Sequence, residues 1–198
     1  MSKTTSAAAP KAVRHSMTTR TLAGCALLAA MSVVLARFVI PMPAVDQRFS
    51  LEAVPIFIAG MLFGPIPGAL VGFSADLVGC LFSGYGYNPL FCVPPILYGL
   101  GAGLFRPLLL KKTTPLTIGL SFLPPVALGS ILYQSATLAY VYGKGAFLPN
   151  FLVKLSTRSV QFAITFVLDV LVVYLLYKSK VFTAVRLWPA AQKTEDKE

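Results

Sequence analysis

Glycine recurs at every fourth position, Gly60, Gly64, Gly68 and Gly72, within the largely apolar residues 48–106. Residues four apart lie on one face of a helix, and glycines there let a second backbone approach closely, as membrane helix interfaces require. Prolines at positions 65 and 67 divide the series, because proline ends one helix and begins the next. The pattern therefore predicts two helices, over residues 50–63 and 68–82, joined by a turn over residues 64–68.

Both predicted helices are short for membrane-spanning segments. Each is about 22 Å long at 1.5 Å per residue, against a hydrocarbon core of about 30 Å. Paired short segments interrupted by glycine and proline indicate a substrate site inside a transporter. The alternative is a hairpin that serves only helix packing, with the four glycines and Asp76 in the packed interface.

Composition places the chain in a membrane. Of its 198 residues, 56% are hydrophobic and 12% are charged, whereas soluble domains carry about 25% charged residues. We predict an all-α integral membrane protein, a bundle of six transmembrane helices in residues 20–178, between a disordered tail (1–19) and a basic, mixed-charge tail (179–198). The predicted spans are 21–40, 50–63, 68–82, 90–110, 116–142 and 151–177, the fourth kinked at Pro94-Pro95 and the fifth containing Pro124-Pro125.

The formal charge of +10 comes mainly from basic clusters at the ends of the spans. Lys and Arg gather in residues 3–20, 106–112 and 178–197, next to the first, fourth and sixth spans. The positive-inside rule assigns such ends to the cytoplasm, where they contact anionic lipid. The distribution therefore predicts a multi-pass protein with both termini cytoplasmic and excludes nucleic acid as a partner.

Five cations lie outside these clusters, near the predicted outer ends of the spans: Arg37, Arg48, Lys144, Lys154 and Arg158. Charges within a membrane are costly and mark functional sites. The excess of positive charge thus predicts an anionic ligand that enters from outside. Snorkelling to lipid phosphates is the alternative, and it fits the two lysines well.

Aromatic residues gather on the same side, and most are expected to form an interfacial belt. One or two of them, including Phe91, could sandwich a flat heterocycle. Asn88 and Gln134 are the side chains that would read the edge of that ring.

Catalysis is not indicated, so the chain is predicted not to be an enzyme and to hold no metal or cofactor. Asp76 and Asp169 lie within spans, but the motifs of intramembrane aspartyl proteases are absent, and the single histidine, His15, lies in the polar tail. The sequence contains no P-loop, so ATP-driven transport would need another subunit to hydrolyse ATP. Two further classes stay open: a self-sufficient proton-coupled carrier that uses Asp76 and Asp169, and a structural subunit without a ligand.

Several segments, read in order over about residues 21–177, resemble one known family. They are Leu35-Ala36-Arg37-Phe38, Arg48-Phe49 followed by Val54-Pro55, Gly60-Met61-Leu62-Phe63-Gly64-Pro65, Ala75-Asp76-Leu77-Val78-Gly79, Ile96-Leu97-Tyr98-Gly99, Tyr142-Gly143-Lys144 and Thr157-Arg158-Ser159-Val160-Gln161. The chain resembles the substrate-binding (S) component of energy-coupling-factor (ECF) vitamin transporters. The pattern around Arg37, Arg48 and Arg158 narrows the resemblance to the folate group.

The resemblance implies a six-helix bundle in the bacterial plasma membrane that captures its vitamin from outside. It also implies two kinds of partner, a transmembrane coupling (T) subunit that meets Ala26 and Ala30, and two ATPases that hydrolyse ATP. Residues 41–49 and 83–89 would be lids over the ligand. The resemblance implies that the anionic tail of folate is bound by Arg37, Arg48 and Arg158. It implies that the edge of the pterin ring is bound by Asn88 and Gln134.

This chain departs from the family pattern at three places. Glu52 stands where a neutral residue is usual, Gln134 stands where asparagine is common, and residues 90–95 replace the usual Gly-Phe-Thr segment. A related pterin or another vitamin therefore stays open as the ligand.

Overall fold

The computed structural model describes residues 18–37, 40–41, 48–49, 51–83, 87–111, 113–142 and 147–179. The predicted tails lie almost wholly outside these residues. In chain order, the elements are α1 (Thr19–Leu35), β1 (Ile40–Pro41), β2 (Arg48–Phe49), α2 (Ala53–Phe63), α3 (Pro65–Ser83), a 3₁₀ helix (Pro89–Cys92), α4 (Val93–Leu104), α5 (Arg106–Lys111), α6 (Pro115–Val126), a π-helical segment (Ala127–Tyr133), α7 (Gln134–Tyr142) and α8 (Phe147–Lys178). The strands β1 and β2 pair antiparallel, with Ile40 opposite Phe49.

The helices group into six apolar segments within the described residues. Three are long and apolar enough to cross a membrane: Pro65–Phe82, Pro115–Val141 and Phe147–Lys178. Three are shorter: Thr19–Leu35, Ala53–Phe63 and Pro89–Leu104. The prediction of an all-α membrane bundle is thereby confirmed, and the strands β1 and β2, of two residues each, are an addition to it.

Helix α2 lies at the centre of the bundle. Its residues from Ala53 to Leu62 are all buried, as expected for a helix that is hydrophobic on every side. It contacts α1, α3, α4 and α8. The ring of Phe57 lies 4.6 Å from that of Phe122, and Phe122 lies 6.1 Å from Phe166 of α8. This aromatic row joins the centre of the bundle to its last helix.

The reversal between α2 and α3 is tighter than predicted. Only Gly64 departs from helical geometry, with φ of +104°, a conformation that glycine adopts at no steric cost. Helix α3 begins directly afterwards at Pro65, because the first helical position needs no N–H and proline already holds the required φ. The predicted five-residue turn over residues 64–68 is therefore wrong in its extent.

Glycines bring the α2–α3 hairpin and α4 into backbone contact. A Cβ at Gly60 or Gly68 would overlap the carbonyl oxygen of Gly99, and one at Gly72 would overlap the carbonyl of Pro95. A Cβ at Gly64 would meet nothing within 4 Å. Three of the four spaced glycines thus lie at the helix contact, whereas Gly64 makes the chain reversal.

The two double prolines act differently from one another. Pro94 and Pro95 lie in the first turn of α4, directly after the 3₁₀ helix, so they begin an α-helix, and the kink predicted there stays a prediction. Pro124 and Pro125 lie inside α6, and the π-helical segment follows them directly. Proline removes one backbone donor and clashes with the carbonyl four residues earlier, so a change of hydrogen-bond register nearby is expected.

Replacing Gly68 by alanine tests the backbone contact. Because the added methyl group would overlap Gly99 and Gly60, we expect the free energy of unfolding to fall by about 1–3 kcal/mol. The measurement is thermal unfolding of the detergent-purified protein by circular dichroism. Gly119→Ala is the matched control, because its Cβ would make only ordinary contacts, the nearest at 3.5 Å from Phe166. Equal melting temperatures for the two variants would contradict the contact.

Candidate functional site

A recess follows from the unequal lengths of α2 and α3. The two helices run antiparallel from Gly64, with 11 residues in α2 and 19 in α3. At 1.5 Å per residue they are about 16 Å and 28 Å long. The start of α2 therefore lies about 12 Å below the end of α3, level with Asp76. We call the end of the bundle where α3 ends the recess end.

A cavity of about 200 Å³ occupies this recess. Its walls come from α1, the turn after α1, the start of α2, α3 and α4. The polar and ionisable residues that line it are Ser32, Arg37, Glu52, Asp76 and Cys80. Among the described residues, the cavity lining thus combines one cationic side chain with two carboxylates.

Two hydrogen bonds hold the wall that α1 contributes. The Ser32 hydroxyl donates to the backbone carbonyl of Glu52 at 2.8 Å, and Ser32 is buried. The Arg37 guanidinium donates through Nη2 to the carbonyl of Gly79 at 2.7 Å. A guanidinium carries five N–H groups, and this contact uses one of them. Arg37 therefore both ties α1 to α3 and offers further donors at an exposed position.

Two thiols lie beside the carboxylate of Asp76. The Cys80 Sγ lies 4.0 Å from Asp76 Oδ2, and the Cys92 thiol is hydrogen-bonded with both Asp76 and Tyr87. All three cysteines of the chain are free thiols. This group joins α3 to the 3₁₀ helix, which is the next described element along the chain.

A second polar group surrounds Tyr98 of α4, on the far side of Glu52. The Tyr98 side chain hydrogen-bonds with Ser130 of the π-helical segment. Glu52, Arg158 and Asp169 lie close enough to Tyr98 to interact with it electrostatically. Glu52 thus lies between the cavity and this group.

Asp169 is the most deeply buried acid among the described residues. Only 4% of its surface is exposed, and its Oδ1 atom is buried without a hydrogen-bond partner. Glu52 is close enough to interact with it electrostatically. A buried carboxylate oxygen without a donor is unfavourable, so this atom suits a donor supplied from outside the chain.

The other residues that were predicted to bind the ligand lie on several different elements. Arg158 is half-buried on α8, and Gln134, also half-buried, begins α7. The Asn88 side-chain oxygen accepts from the Leu90 backbone N–H at 3.1 Å, so Asn88 caps the 3₁₀ helix in which Phe91 lies half-buried. Arg48 belongs to β2, but its side chain lies outside the described residues, as do most of the predicted lids.

Ala26 and Ala30 are both exposed on α1. Large apolar side chains beside them are exposed as well, including Leu22, Leu27 and Val34. The structure thus leaves this face of α1 uncovered by the described part of the bundle.

Sequence reasoning missed Ser32, Tyr98 and Ser130, whose residue types are common in apolar helices. For the residues of α8 near Tyr98, the sequence did contain a signal, which is helical spacing. One face of α8 carries four residues at intervals of four, four and three, which are Arg158, Phe162, Phe166 and Asp169.

Among the described residues, no three His, Cys, Asp or Glu side chains gather closely enough to hold a metal ion.

Three comparisons relate the chain to known proteins. The family model for the ECF-type riboflavin transporter S component matches residues 16–179. The crystal structure of FolT bound with folic acid aligns with a TM-score of 0.68 at 27% identity, over 82% of this chain and 95% of that chain. A crystal structure of the S-component for biotin from an ECF-type ABC transporter aligns with a TM-score of 0.55 at 19% identity, over 84% of this chain and 95% of that chain, and shows the fold alone.

A curated relative from Mycoplasma pneumoniae is an uncharacterised homologue of MG098. It is 36% identical over 64 residues, or 32% of this chain. The chain spans 13% of the length of that relative.

Selective reaction of Cys80 tests the recess. Cys80 lines the cavity and is half-buried, whereas Cys25 and Cys92 are 8% and 3% exposed. We expect N-ethylmaleimide to modify Cys80 on the order of tenfold faster, because burial makes a thiol inert. Single-cysteine variants in detergent, followed by mass spectrometry, give the three rates. Modification of Cys92 at the rate of Cys80 would show that the recess is not formed as described.

Proposed function

The chain belongs to the family of ECF-type riboflavin transporter S components, and on this premise we propose that it is the substrate-binding subunit of a folate importer. The family match confirms the S-component resemblance read from the sequence. It places the chain among transporter components and not among enzymes.

Folate is the ligand that the likeness to FolT supports. The alignment with folate-bound FolT covers most of both chains at 27% identity, and this observation carries the proposal. One charge of the recess agrees with it, because folate has a dicarboxylate tail and the cationic Arg37 lines the cavity, beside Glu52 and Asp76. Arginine binds carboxylates through paired hydrogen bonds. Arg158 would supply a second cation beside Tyr98.

Riboflavin is the second candidate, because the matching family model bears its name. Riboflavin is uncharged at neutral pH and would give the two arginines no anionic partner. The likeness to the biotin S-component supports the fold but not the ligand, since the identity is 19%. We therefore rank folate before riboflavin.

The proposal includes partners and a location. The recess would open to the outside of a bacterial plasma membrane, with both termini in the cytoplasm, as the basic clusters indicate. The uncovered face of α1, with the small side chains of Ala26 and Ala30, would receive a T subunit, because small residues permit close helix contact in membranes. Two ATPase subunits would then supply the energy.

Ligand identity is tested by mass spectrometry of small molecules released from the gently purified, denatured protein. We expect a folate at about one per chain, and micromolar or tighter binding when folate is added to the emptied protein, as equilibrium titration would measure. Riboflavin is titrated in parallel. Release and tight binding of riboflavin, with no response to folate, would overturn the folate assignment and leave the family assignment intact.

Ala26→Trp tests the docking role of α1. The large side chain should block close approach of a T subunit, so ATP-driven uptake in cells that carry the full transporter should fall at least about tenfold. Ligand binding by the purified variant should stay unchanged, because Ala26 is exposed on α1. Ala163→Trp, at an exposed position of α8, is the matched control. Equal losses of uptake in both variants would argue against a specific docking face.

A further inference from the structure

We infer that Cys80 and Cys92 are a redox-active thiol pair, which a peroxide converts into a disulfide beside the recess, with the carboxylate of Asp76 as the proton acceptor. The inference goes beyond the proposed function, because it concerns a covalent modification that does not depend on which ligand binds. Only its effect on ligand affinity rests on the proposed function.

Both thiols contact the same carboxylate. The Cys80 Sγ lies 4.0 Å from Asp76 Oδ2, and the Cys92 thiol, at the end of the 3₁₀ helix, is hydrogen-bonded with Asp76 as well. The two thiols are also within electrostatic range of each other. A change of rotamer moves a cysteine sulfur by several ångströms. Rotation of both side chains is thus the motion that brings the two sulfurs into bonding contact.

The two thiols differ in their access to solvent. Cys80 lines the cavity and is half-buried, whereas only 3% of Cys92 is exposed. An oxidant that enters the recess therefore meets Cys80 first, while Cys92 is shielded from the oxidant but not from its neighbour. An accessible thiol beside a second, resolving thiol is the arrangement of redox-sensing cysteines. The third thiol, Cys25, is buried on α1 and serves as an internal control.

Asp76 places a base in contact with both sulfurs. It lies on α3 one helical turn before Cys80, and the two side chains line the same cavity. A thiol becomes a good nucleophile only as its proton leaves, and a carboxylate that accepts its hydrogen bond is placed to receive that proton. Tyr87 is hydrogen-bonded with Cys92 and so helps to hold this thiol beside the carboxylate.

The reaction takes place in two steps that balance. In the first, the Cys80 sulfur attacks one oxygen of hydrogen peroxide, the O–O bond breaks, and the thiol proton passes through Asp76 to the departing hydroxide, which leaves as water. The product is a sulfenic acid. In the second, the Cys92 sulfur attacks that of Cys80, the S–O bond breaks, and a second water leaves with the Cys92 proton. The two sulfurs together lose two electrons, and the peroxide gains them.

The test maps the disulfide in the purified full-length protein. The protein is reduced with a phosphine, treated with hydrogen peroxide, alkylated with N-ethylmaleimide and digested for mass spectrometry. We expect one cross-linked peptide pair, joining Cys80 to Cys92 and lighter by two hydrogens than the reduced pair, with Cys25 still alkylated. Renewed reduction should restore both thiols. Oxidation of Cys80 with Cys92 left alkylated, or a disulfide that includes Cys25, would overturn the inference.

Three variants separate the steps. Cys92→Ser should stop at the sulfenic acid of Cys80, which dimedone traps, because the resolving thiol is gone. Asp76→Asn should form the disulfide about tenfold or more slowly, because the base is lost while the shape is kept. Glu52→Gln is the matched control, since it removes another carboxylate from the same cavity, and it should react at the wild-type rate. Melting temperatures show whether each variant is folded, and an equal rate in Asp76→Asn and Glu52→Gln would overturn the role of Asp76.

The disulfide would also change the charges that a ligand meets. The Asp76 carboxylate loses both thiol donors when the bond forms. Arg37 bonds to the carbonyl of Gly79, one helical turn from Asp76, and lines the same cavity. The carboxylate would then pair with Arg37 and compete with the anionic tail of folate. We therefore expect folate to bind about tenfold more weakly to the oxidised protein than to the reduced protein.

Equilibrium titration of the two forms with folate measures this effect, and the double variant Cys80→Ser/Cys92→Ser should show no response to peroxide. Equal affinities of the oxidised and reduced forms would overturn the effect on binding and leave the thiol pair standing. A wild type that binds riboflavin and not folate would overturn the proposed ligand, whereas the mapped disulfide would be unaffected. Folate binding without any disulfide would overturn the inference and leave the proposed function intact.

Discussion

The α2–α3 hairpin approaches α4 so closely that the carbonyl oxygen of Gly99 lies where side chains on Gly60 and Gly68 would begin. Lipid provides no hydrophobic force between helices, so such close packing has to hold the bundle together. The same contact has a geometric effect at the recess end. It fixes a short α2 in the centre, and the neighbouring helices that extend past its first residue become the walls of the recess. The candidate site is thus a result of how the core is packed.

The hairpin and the six apolar segments were predictable because their signals are local. Glycine spacing, proline positions and the length of apolar runs depend on a few neighbouring residues. The error in the extent of the turn arose where two local readings compete. Pro65 is compatible with a turn or with the first turn of a helix, and in the structure it begins α3. The π-helical segment was not predicted, although Pro124 and Pro125 shortly before it are a local signal for a change of hydrogen-bond register.

Much less of the candidate site could be predicted. Arg37 was singled out by its charge and lines the cavity, but its bond to the carbonyl of Gly79 joins residues 42 apart. Ser32 and Glu52 form a similar pair at a separation of 20 residues. Such contacts depend on helix offsets, and a shift of one residue in the start of α2 would change them. Tyr98 and Ser130 were missed for the same reason, because their meeting requires the relative position of two helices.

The π-helical segment Ala127–Tyr133 has a consequence for how chains of this fold can diverge. A π turn holds an extra residue, and each residue turns an α-helix by about 100°. The wide π turn takes up that residue locally, so deleting one residue there would restore regular α register and leave the side chains of α7 on the faces that they now occupy. The contacts of α7 with α8 would therefore be kept. Chain length in this segment can thus change by one residue without rotating the helix that follows it.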